Sequence, residues 1–371
     1  MILVTATLLL GLVASWVLFN RFPGLEQGDA QEAGNNNPQL SVIIPARNEE
    51  KNLALLLTDL QNQTRAIHEI ICVDDDSTDH TASIVGAYRA TLITAASKPD
   101  GWLGKTWACQ QGGEAASGEL LLFLDADVRL SPTALSKLLR ARQKTGIVVS
   151  VMPYHRILKT WEALSFFFNC LQMGANGLGL SSGLKTSCGV GLYGPVILID
   201  RGDYQAVGGH AAIKDCIVDD VALGEKLRDK AIPFALFLGD HDISYRMYGG
   251  GLRDLIDGWT KNQAAGVART PLFLIVLVFF WITAAASAPL YLVLCLVWQQ
   301  WLWGAIMTAC YGIWVLELTR IARQIGSFSV ISIVCYPLLL LFYLGIFLRS
   351  LAKKILGRPV IWKDRKIRLD K

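Results

Sequence analysis

No CxxC pair occurs in this chain of 371 residues, and none of its eight cysteines stands at zinc-ligand spacing from one of its five histidines. That excludes the common zinc folds and leaves no disulfide framework to read. The scattered thiols describe reduced, mostly buried cysteines in a protein facing the cytoplasm. Charge is also scarce: Asp, Glu, Lys and Arg make up 18% of the chain, against 52% hydrophobic residues, and the formal net charge is only +4. No internal repeat is present. The first apolar stretch, Met1–Phe19, lacks a basic leading region, and no small-x-small cleavage site precedes Asn20-Arg21. It therefore reads as an uncleaved anchor and not as a signal peptide.

What the chain has in abundance is apolar sequence at its two ends. Met1–Phe19 carries only Thr5, Thr7 and Ser15 as polar side chains and is long enough to cross a bilayer. Leu272–Trp298, Trp301–Val315 and Val330–Leu348 are three further apolar stretches. From Arg349 to Lys371 there are nine Lys or Arg against two Asp. A basic tail directly after an apolar segment reads as cytoplasmic, near anionic headgroups, and its place beside the membrane argues against nucleic acid as its partner. The expected organisation is an anchor over 1–20, a Gly/Asn-rich linker over 21–39, a globular domain over 40–262, a transmembrane region over 263–348 and the tail over 349–371. Three full C-terminal spans would place the tail outside, against the positive-inside tendency. Trp301–Val315 is short for a span, so two C-terminal crossings are expected.

Between the ends, apolar runs alternate with helical patterns. Leu40–Ile44 precedes a helix from about Asn48 to Leu60, and Ile70–Val73 precedes one near Thr78–Ala90. Leu120–Leu124 precedes a helix over about Pro132–Lys144 with Ser131 as its N-cap, and Ile147–Val151 is another β-branched run. Apolar strands alternating with helices predict an α/β domain with a mostly parallel sheet covered on both faces. Ligands of such sheets bind at the carboxyl ends of the strands. Here each end carries a polar cluster: Pro45-Ala-Arg-Asn-Glu-Glu50, Asp74-Asp-Asp-Ser-Thr-Asp79 and Asp125-Ala-Asp127. In an extended segment Asp125 and Asp127 point the same way. A hard cation such as Mg²⁺ or Mn²⁺ takes oxygen ligands and shares them with substrate phosphates. Three acidic clusters converging on one sheet edge describe a site.

The order SVIIPARNEE, VDDDSTD, FLDADV, then GGH followed by VDDVALGE resembles a family 2 glycosyltransferase of the GT-A fold, from Leu40 to about Asn262. The segment GWLGKTWA and the flanking apolar helices are similar to the membrane-anchored branch of bacterial carotenoid-acid (diaponeurosporenoate) and hopanoid-associated glycosyltransferases. The resemblance implies a GT-A type mostly parallel sheet with helices on both faces, plus transmembrane helices at the N- and C-terminal ends. It implies a nucleotide-sugar donor held by Pro45, Ala46, Arg47, Glu49 and Asp75, with Asp75 accepting from uracil N3–H in a uridine nucleotide. Asp127 would bind the divalent metal and Asp125 would face ribose or a metal-bound water. Lys105 would reach a phosphate or the sugar. In the Asp219-Asp220 pair the second member would be the general base, supported by the first, for inversion by single displacement. The family usually has Gly where Asp76 stands, so the turn there departs from its pattern. The processive members carry a QxxRW motif after the base, absent here, which implies one sugar per acceptor.

Trp161–Leu180 reads either as an interfacial or re-entrant helix or, through Phe166-Phe-Phe168, as domain core, and Gly249–Asn262 as a surface-lying element. Together they point to a membrane-lipid acceptor, for an enzyme of the cell membrane whose catalytic domain faces the cytoplasm. Arg253 and Lys261 keep a polyprenyl-phosphate acceptor open, and a non-catalytic nucleotide-sugar-binding protein is the reading from another class. His241, in Gly239-Asp-His-Asp242, reads as a turn histidine.

Overall fold

The computed structural model describes residues 2–26, 38–180, 190–267, 270–362 and 365–367. In chain order, α1 (Ile2–Phe19) leads to β1 (Leu40–Ala46), α2 (Glu50–Gln61), β2 (Glu69–Asp74), α3 (Thr81–Val85), β3 (Thr91–Thr94) and α4 (Gly104–Ala115). Then come β4 (Leu120–Leu124), β5 (Val128–Leu130), α5 (Ala134–Thr145), β6 (Val148–Met152), β7 (Tyr154–His155) and α6 (Phe166–Ala175). β8 (Val196–Asp200), α7 (Arg201–Ala206), α8 (Asp219–Asp229), β9 (Phe234–Leu238) and β10 (Ile243–Tyr245) complete the sheet region. The chain continues with α9 (Leu252–Val267), α10 (Leu272–Val297), α11 (Trp301–Ile325), α12 (Val330–Val334), α13 (Tyr336–Ile355), β11 (Val360–Trp362) and β12 (Arg365–Ile367). These elements divide into a helical unit (Met1–Phe22, Arg156–Ser181, Tyr248–Arg358) and a sheet unit (Pro23–His155, Ser182–Met247, Pro359–Lys371).

The sheet unit holds a seven-stranded sheet in the order β3-β2-β1-β4-β8-β6-β9. β3, β2, β1 and β4 run parallel, as do β6 and β9, and β8 runs antiparallel between β4 and β6. Every residue of β4, β6 and β9 is buried, which is why these strands read as continuous apolar runs without alternation. Each fully buried Leu or Val contributes about 1.5–3 kcal/mol relative to exposure. β8 runs antiparallel to both of its neighbours, so the strand–helix alternation that marks the parallel strands does not mark it. It starts where β4 ends, pairing Val196 with Leu124, so the residues just before it come to the same edge as the ends of the parallel strands. Ser150, buried in the middle of β6, ties that approach down: its hydroxyl donates to the Tyr193 carbonyl at 3.0 Å and accepts the Tyr193 amide at 2.6 Å.

Several local expectations shift. The helix expected over Thr78–Ala90 is confined to Thr81–Val85, because Asp79 Oδ1 caps it at the Thr81 amide, 2.9 Å away, and Gly86 closes it. Thr133, and not Ser131, stands at the N-cap of α5; the Ser131 carbonyl instead accepts the Ala134 amide and the Gln63 side chain. The linker lies largely outside the described residues. Its first residues join the sheet unit, where Gly24 bridges Leu238 and Glu26 pairs with Lys144.

In the helical unit, α10 and α11, with 26 and 25 residues, are long and apolar enough to cross a membrane, and Val4–Phe19 is a shorter apolar helix. At 1.5 Å per residue α11 is about 38 Å long, against a hydrocarbon core of about 30 Å. The expectation that Trp301–Val315 is too short is therefore corrected. The helix continues through Glu317 and Arg320, which ended the apolar run in the sequence, because these two charges satisfy each other at 2.7 Å. Glu317 also accepts from Ser15 at 2.7 Å, and Arg320 donates to the Phe19 carbonyl at 2.9 Å. Val330–Leu348, read as one stretch, is broken at Cys335 into α12 and α13. Phe166, Phe167 and Phe168 are fully buried in this unit, against Phe328, Trp281 and Trp259 with ring centroids 5.2, 5.6 and 4.5 Å apart. The Phe cluster is thus buried, but in the helical unit and not in the core of the sheet unit.

Replacing Ser150 by Ala removes both hydrogen bonds to Tyr193 from a buried position and is expected to cost about 1–3 kcal/mol. A lowered thermal unfolding midpoint of the detergent-purified protein checks it; an unchanged midpoint would refute the tie.

Candidate active site

The sheet brings the predicted clusters together at one edge. The ends of β1 and β2 lie side by side, with Ala46 paired to Asp74 and the Asp75 amide donating to the Ala46 carbonyl at 2.8 Å. Arg47 reaches across this pair of strand ends. Its guanidinium donates to the carbonyls of Asp75 and Asp76 at 2.5 and 2.8 Å and stands 3.5 Å from the Asp76 carboxylate. Glu49 precedes α2, with its amide donating to Thr81 Oγ1 at 2.8 Å and its carboxylate accepting from Asn52 at 2.7 Å. Asp75 is buried, as is Asp74, one of whose carboxylate oxygens has no hydrogen-bond partner among the described residues. Asp76 adopts a left-handed conformation, φ +58°. This is the position at which the resembled family has Gly, and a short polar side chain is the next best occupant.

Asp125 and Asp127 close β4, half-buried on either side of the buried Ala126. Asp125 is not a solvated turn residue: its carboxylate meets Lys105 Nζ at 2.7 Å. Lys105 sits in the first turn of α4, an end held by the Leu103 amide and the Thr106 hydroxyl, both donating to the Lys214 carbonyl at 2.8 Å. The same ammonium stands 3.8 Å from Asp219, the first residue of α8. One cation thus joins the strand-end carboxylate to the helix-start pair. Burial pulls the Lys105 ammonium down, but Asp125 and Asp219 more than offset it and hold the group well above the ordinary lysine range. Lys105 therefore remains charged in this setting and is no free surface lysine.

Asp220, beside it, is fixed by backbone donors. Its Oδ2 accepts the Gly194 amide at 3.0 Å and its Oδ1 the Val221 amide at 2.8 Å. The approach requires glycine, since a Cβ on Gly191 would lie 2.4 Å from the Val221 Cα. The carbonyl of the next residue, Pro195, accepts the Asp125 amide at 3.0 Å, so the turn before β8 connects Asp125 to Asp220. Burial raises the Asp220 carboxyl and Asp219 raises it further, to about 6, while Lys105 and the two amides pull it back. A carboxyl poised near neutrality is suited to accepting a proton.

Sequence reasoning assigned no role to His210. It is buried behind Asp219, with Nδ1 2.8 Å from the Tyr204 hydroxyl, and burial lowers its imidazole to about 4 against the opposing pull of Asp219. It is thus neutral near pH 7, and its signal was the Gly-Gly-His spacing before Asp219-Asp220. His241 is a turn residue as read, packed on Tyr154 with ring centroids 4.6 Å apart. Its neighbours Asp240 and Asp242 pair with Lys137.

Residues 41–171 match the family described as Glycosyl transferase family 2. Over the whole chain, and over 98% of the relative, the sequence is 31% identical to 4,4'-diaponeurosporenoate glycosyltransferase of Staphylococcus aureus strain MRSA252; strain USA300 gives the same figures. The chain belongs to glycosyl transferase family 2. A mannosyltransferase from Pyrobaculum calidifontis, solved with GDP-Man and Mn²⁺, shares the fold: TM-score 0.59 at 18% identity, covering 95% of this chain and 98% of that one. The chain is thus a glycosyltransferase of GT-A fold, with an α/β sheet unit and apolar helices toward both ends. Among the described residues no group of three or more His, Cys, Asp or Glu is arranged to hold a metal ion. Asp125 and Asp127 both lie at the end of β4, with Asp125 on Lys105.

Asp76→Gly is expected to leave the unfolding midpoint unchanged or slightly raised, because the Arg47 pair it removes is exposed and weak. Asp76→Val should cost about 1–2 kcal/mol for a branched residue in left-handed backbone. Equal midpoints for the two variants would refute the strain.

Proposed function

We propose that this enzyme transfers one sugar, with inversion, from a uridine-diphosphate sugar to a membrane-embedded terpenoid acceptor of the carotenoid-acid class. The observation that carries the reading is the Lys105 bridge, 2.7 Å from Asp125 and 3.8 Å from Asp219, which unites a diphosphate end and a base end in one site. The full-length likeness to a diaponeurosporenoate glycosyltransferase supports the acceptor class. The missing QxxRW motif supports a single transfer.

In this reading Asp75, with Pro45, Ala46, Arg47 and Glu49, holds the nucleotide at the ends of β1 and β2. Asp127 and Asp125 are hard oxygen donors, and a Mg²⁺ or Mn²⁺ held by one or two carboxylates plus the donor diphosphate needs no third side chain. When bound, that ion offsets charge on the departing diphosphate. Lys105 keeps Asp125 oriented and adds positive charge beside it. Asp220 accepts the acceptor's proton. An acid partitioned into lipid enters protonated, because low dielectric raises its pKa. A carboxylate of pKa about 6 is matched to that proton far better than to an alcohol's. Asp219 stabilises the proton on Asp220 and is itself held by Lys105. The apolar helices α1, α10 and α11 anchor the enzyme in the cell membrane, with the sheet unit in the cytoplasm, where nucleotide sugars are made.

The deciding experiment incubates membranes containing the protein with labelled UDP-sugar and a carotenoid acid. Label should pass into the extracted lipid, and its appearance only in polyprenyl-phosphate or aqueous products would overturn the acceptor. Asp220→Asn should lower transfer by about 10²–10⁴-fold with nucleotide binding retained. Transfer by the unmodified enzyme should rise with pH through about 6, as Asp220 loses its proton. Lys105 holds that value down, so Lys105→Met should move the rise to higher pH; movement to lower pH contradicts the assignment. Chelation should abolish transfer and added Mg²⁺ or Mn²⁺ restore it, and full activity in Asp127→Ala would remove that residue from metal binding.

A further inference from the structure

Three apolar stretches follow the sheet region, yet the helical unit does not use them as three equal spans. α10 and α11 form a hairpin joined at Trp298–Gln300. α1 lies against α10, with a Cβ on Gly11 meeting Ala284 and the Phe19 ring 5.1 Å from that of Trp281. The C-terminal end of α1 therefore lies toward the start of α10. It also meets the last turns of α11, where Arg320 holds the Phe19 carbonyl. Just past α11, Ser327 accepts the Ile157 amide at 2.8 Å. The end of α1, the start of α10 and the end of α11 thus mark one end of the unit, and the exposed Trp298 and Trp301 mark the other.

The α12–α13 pair starts from the first of these ends and returns to it. α12 is five residues long, and the Val334 carbonyl at its close accepts from Tyr311, near the middle of α11. After the break at Cys335, the Tyr336 ring stacks on Tyr311 with centroids 5.2 Å apart, and its hydroxyl donates at 3.1 Å to Ala285, midway along α10. From this depth α13 runs back. Tyr343 lies 5.0 Å from Phe168 by ring centroids, Arg349 pairs with Asp257 at 3.1 Å and Ser350 donates to the Thr260 carbonyl at 2.6 Å. Both Asp257 and Thr260 belong to α9, which immediately precedes the start of α10.

We propose that α12 and α13 form a re-entrant pair that dips to the bilayer midplane and returns, contacting the acyl chains of one leaflet only. It rests on the membrane placement proposed above. Ile331, Leu338 and Leu341 present an apolar outer face, 78, 64 and 65% exposed within the unit. The occupant of that face is lipid, because the pair lies alongside helices of spanning length and ends in Lys353, Lys354 and Arg358, suited to headgroups. At the break the Val334 carbonyl accepts from Tyr311, the Cys335 amide donates to the Ile331 carbonyl and the Cys335 carbonyl accepts the Leu338 amide, the last two at 3.0 Å, so the backbone there has the partners a broken helix needs at that depth. With α1, α10 and α11 as the crossings, Lys353, Lys354 and Arg358 return to the end of the helical unit at which α1 closes. This satisfies the positive-inside tendency that three C-terminal spans would violate.

The test uses the full chain in bacterial membranes. Resistance to alkaline extraction comes first; release by alkali would overturn the membrane placement and the proposal with it. Alkaline phosphatase fused after Lys371 should then be inactive and a fluorescent protein at the same position bright, whereas active phosphatase overturns the re-entrant pair while leaving the sugar-transfer assay unaffected. Depth is read with a nitroxide on Cys335, the remaining cysteines being replaced. Collision with oxygen should exceed collision with a water-soluble nickel chelate, and the reverse order would mean a surface-lying pair. If the substituted chain fails to fold, the same nitroxide comparison is made on Leu338→Cys labelled in the natural background, its signal taken as the difference from the unsubstituted protein.

Discussion

Carboxylates gathered at one sheet edge repel one another, and the site depends on the Lys105 ammonium that makes the gathering tolerable. Lys105 stands between Asp125 and Asp219, and its charge reaches Asp220 behind them. Two like charges within a few ångströms drive one carboxyl toward its protonated form, and a cation between them restrains that drift. The result is a graded set: a cation-paired carboxylate at the strand end and a carboxyl near 6 at the helix start. Lys105, in the first turn of α4, is the group that links the two settings.

That arrangement is positioned by backbone rather than by side-chain packing. The antiparallel β8 carries the Gly194-Pro195 turn to the end of β4, where one residue donates to Asp220 and the next accepts from Asp125. Ser150 holds the approach to this turn from inside the sheet. A strand inserted against the direction of its neighbours is thus the route by which two sequence-distant acidic motifs come to share one edge.

The helical unit obeys the same accounting. Glu317 and Arg320 neutralise each other and take Ser15 and the Phe19 carbonyl as further partners, so a helix that appears too short by composition completes its length. The break between α12 and α13 is likewise covered by Tyr311 and Tyr336. Ser15, Glu317, Arg320 and Tyr336 persist among apolar helices because each of these four has a named partner.

Much of this was legible in the chain itself. Apolar strands alternating with helices determined an α/β sheet, a local pattern with a fixed period, and the clusters after Ile44, Val73 and Leu124 marked the candidate edge by following the strand ends. The Asp219-Asp220 pair was legible through its position after Gly208-Gly209. Only the tertiary structure decided that Lys105 belongs between Asp125 and Asp219, that His210 backs Asp219, and that β8 runs against its neighbours. Those facts depend on approaches between residues far apart in sequence. The same holds for the apolar ends, where composition marked the stretches but could not measure them: the end of a helix is set by whether its polar groups find partners, and those partners lie on other helices.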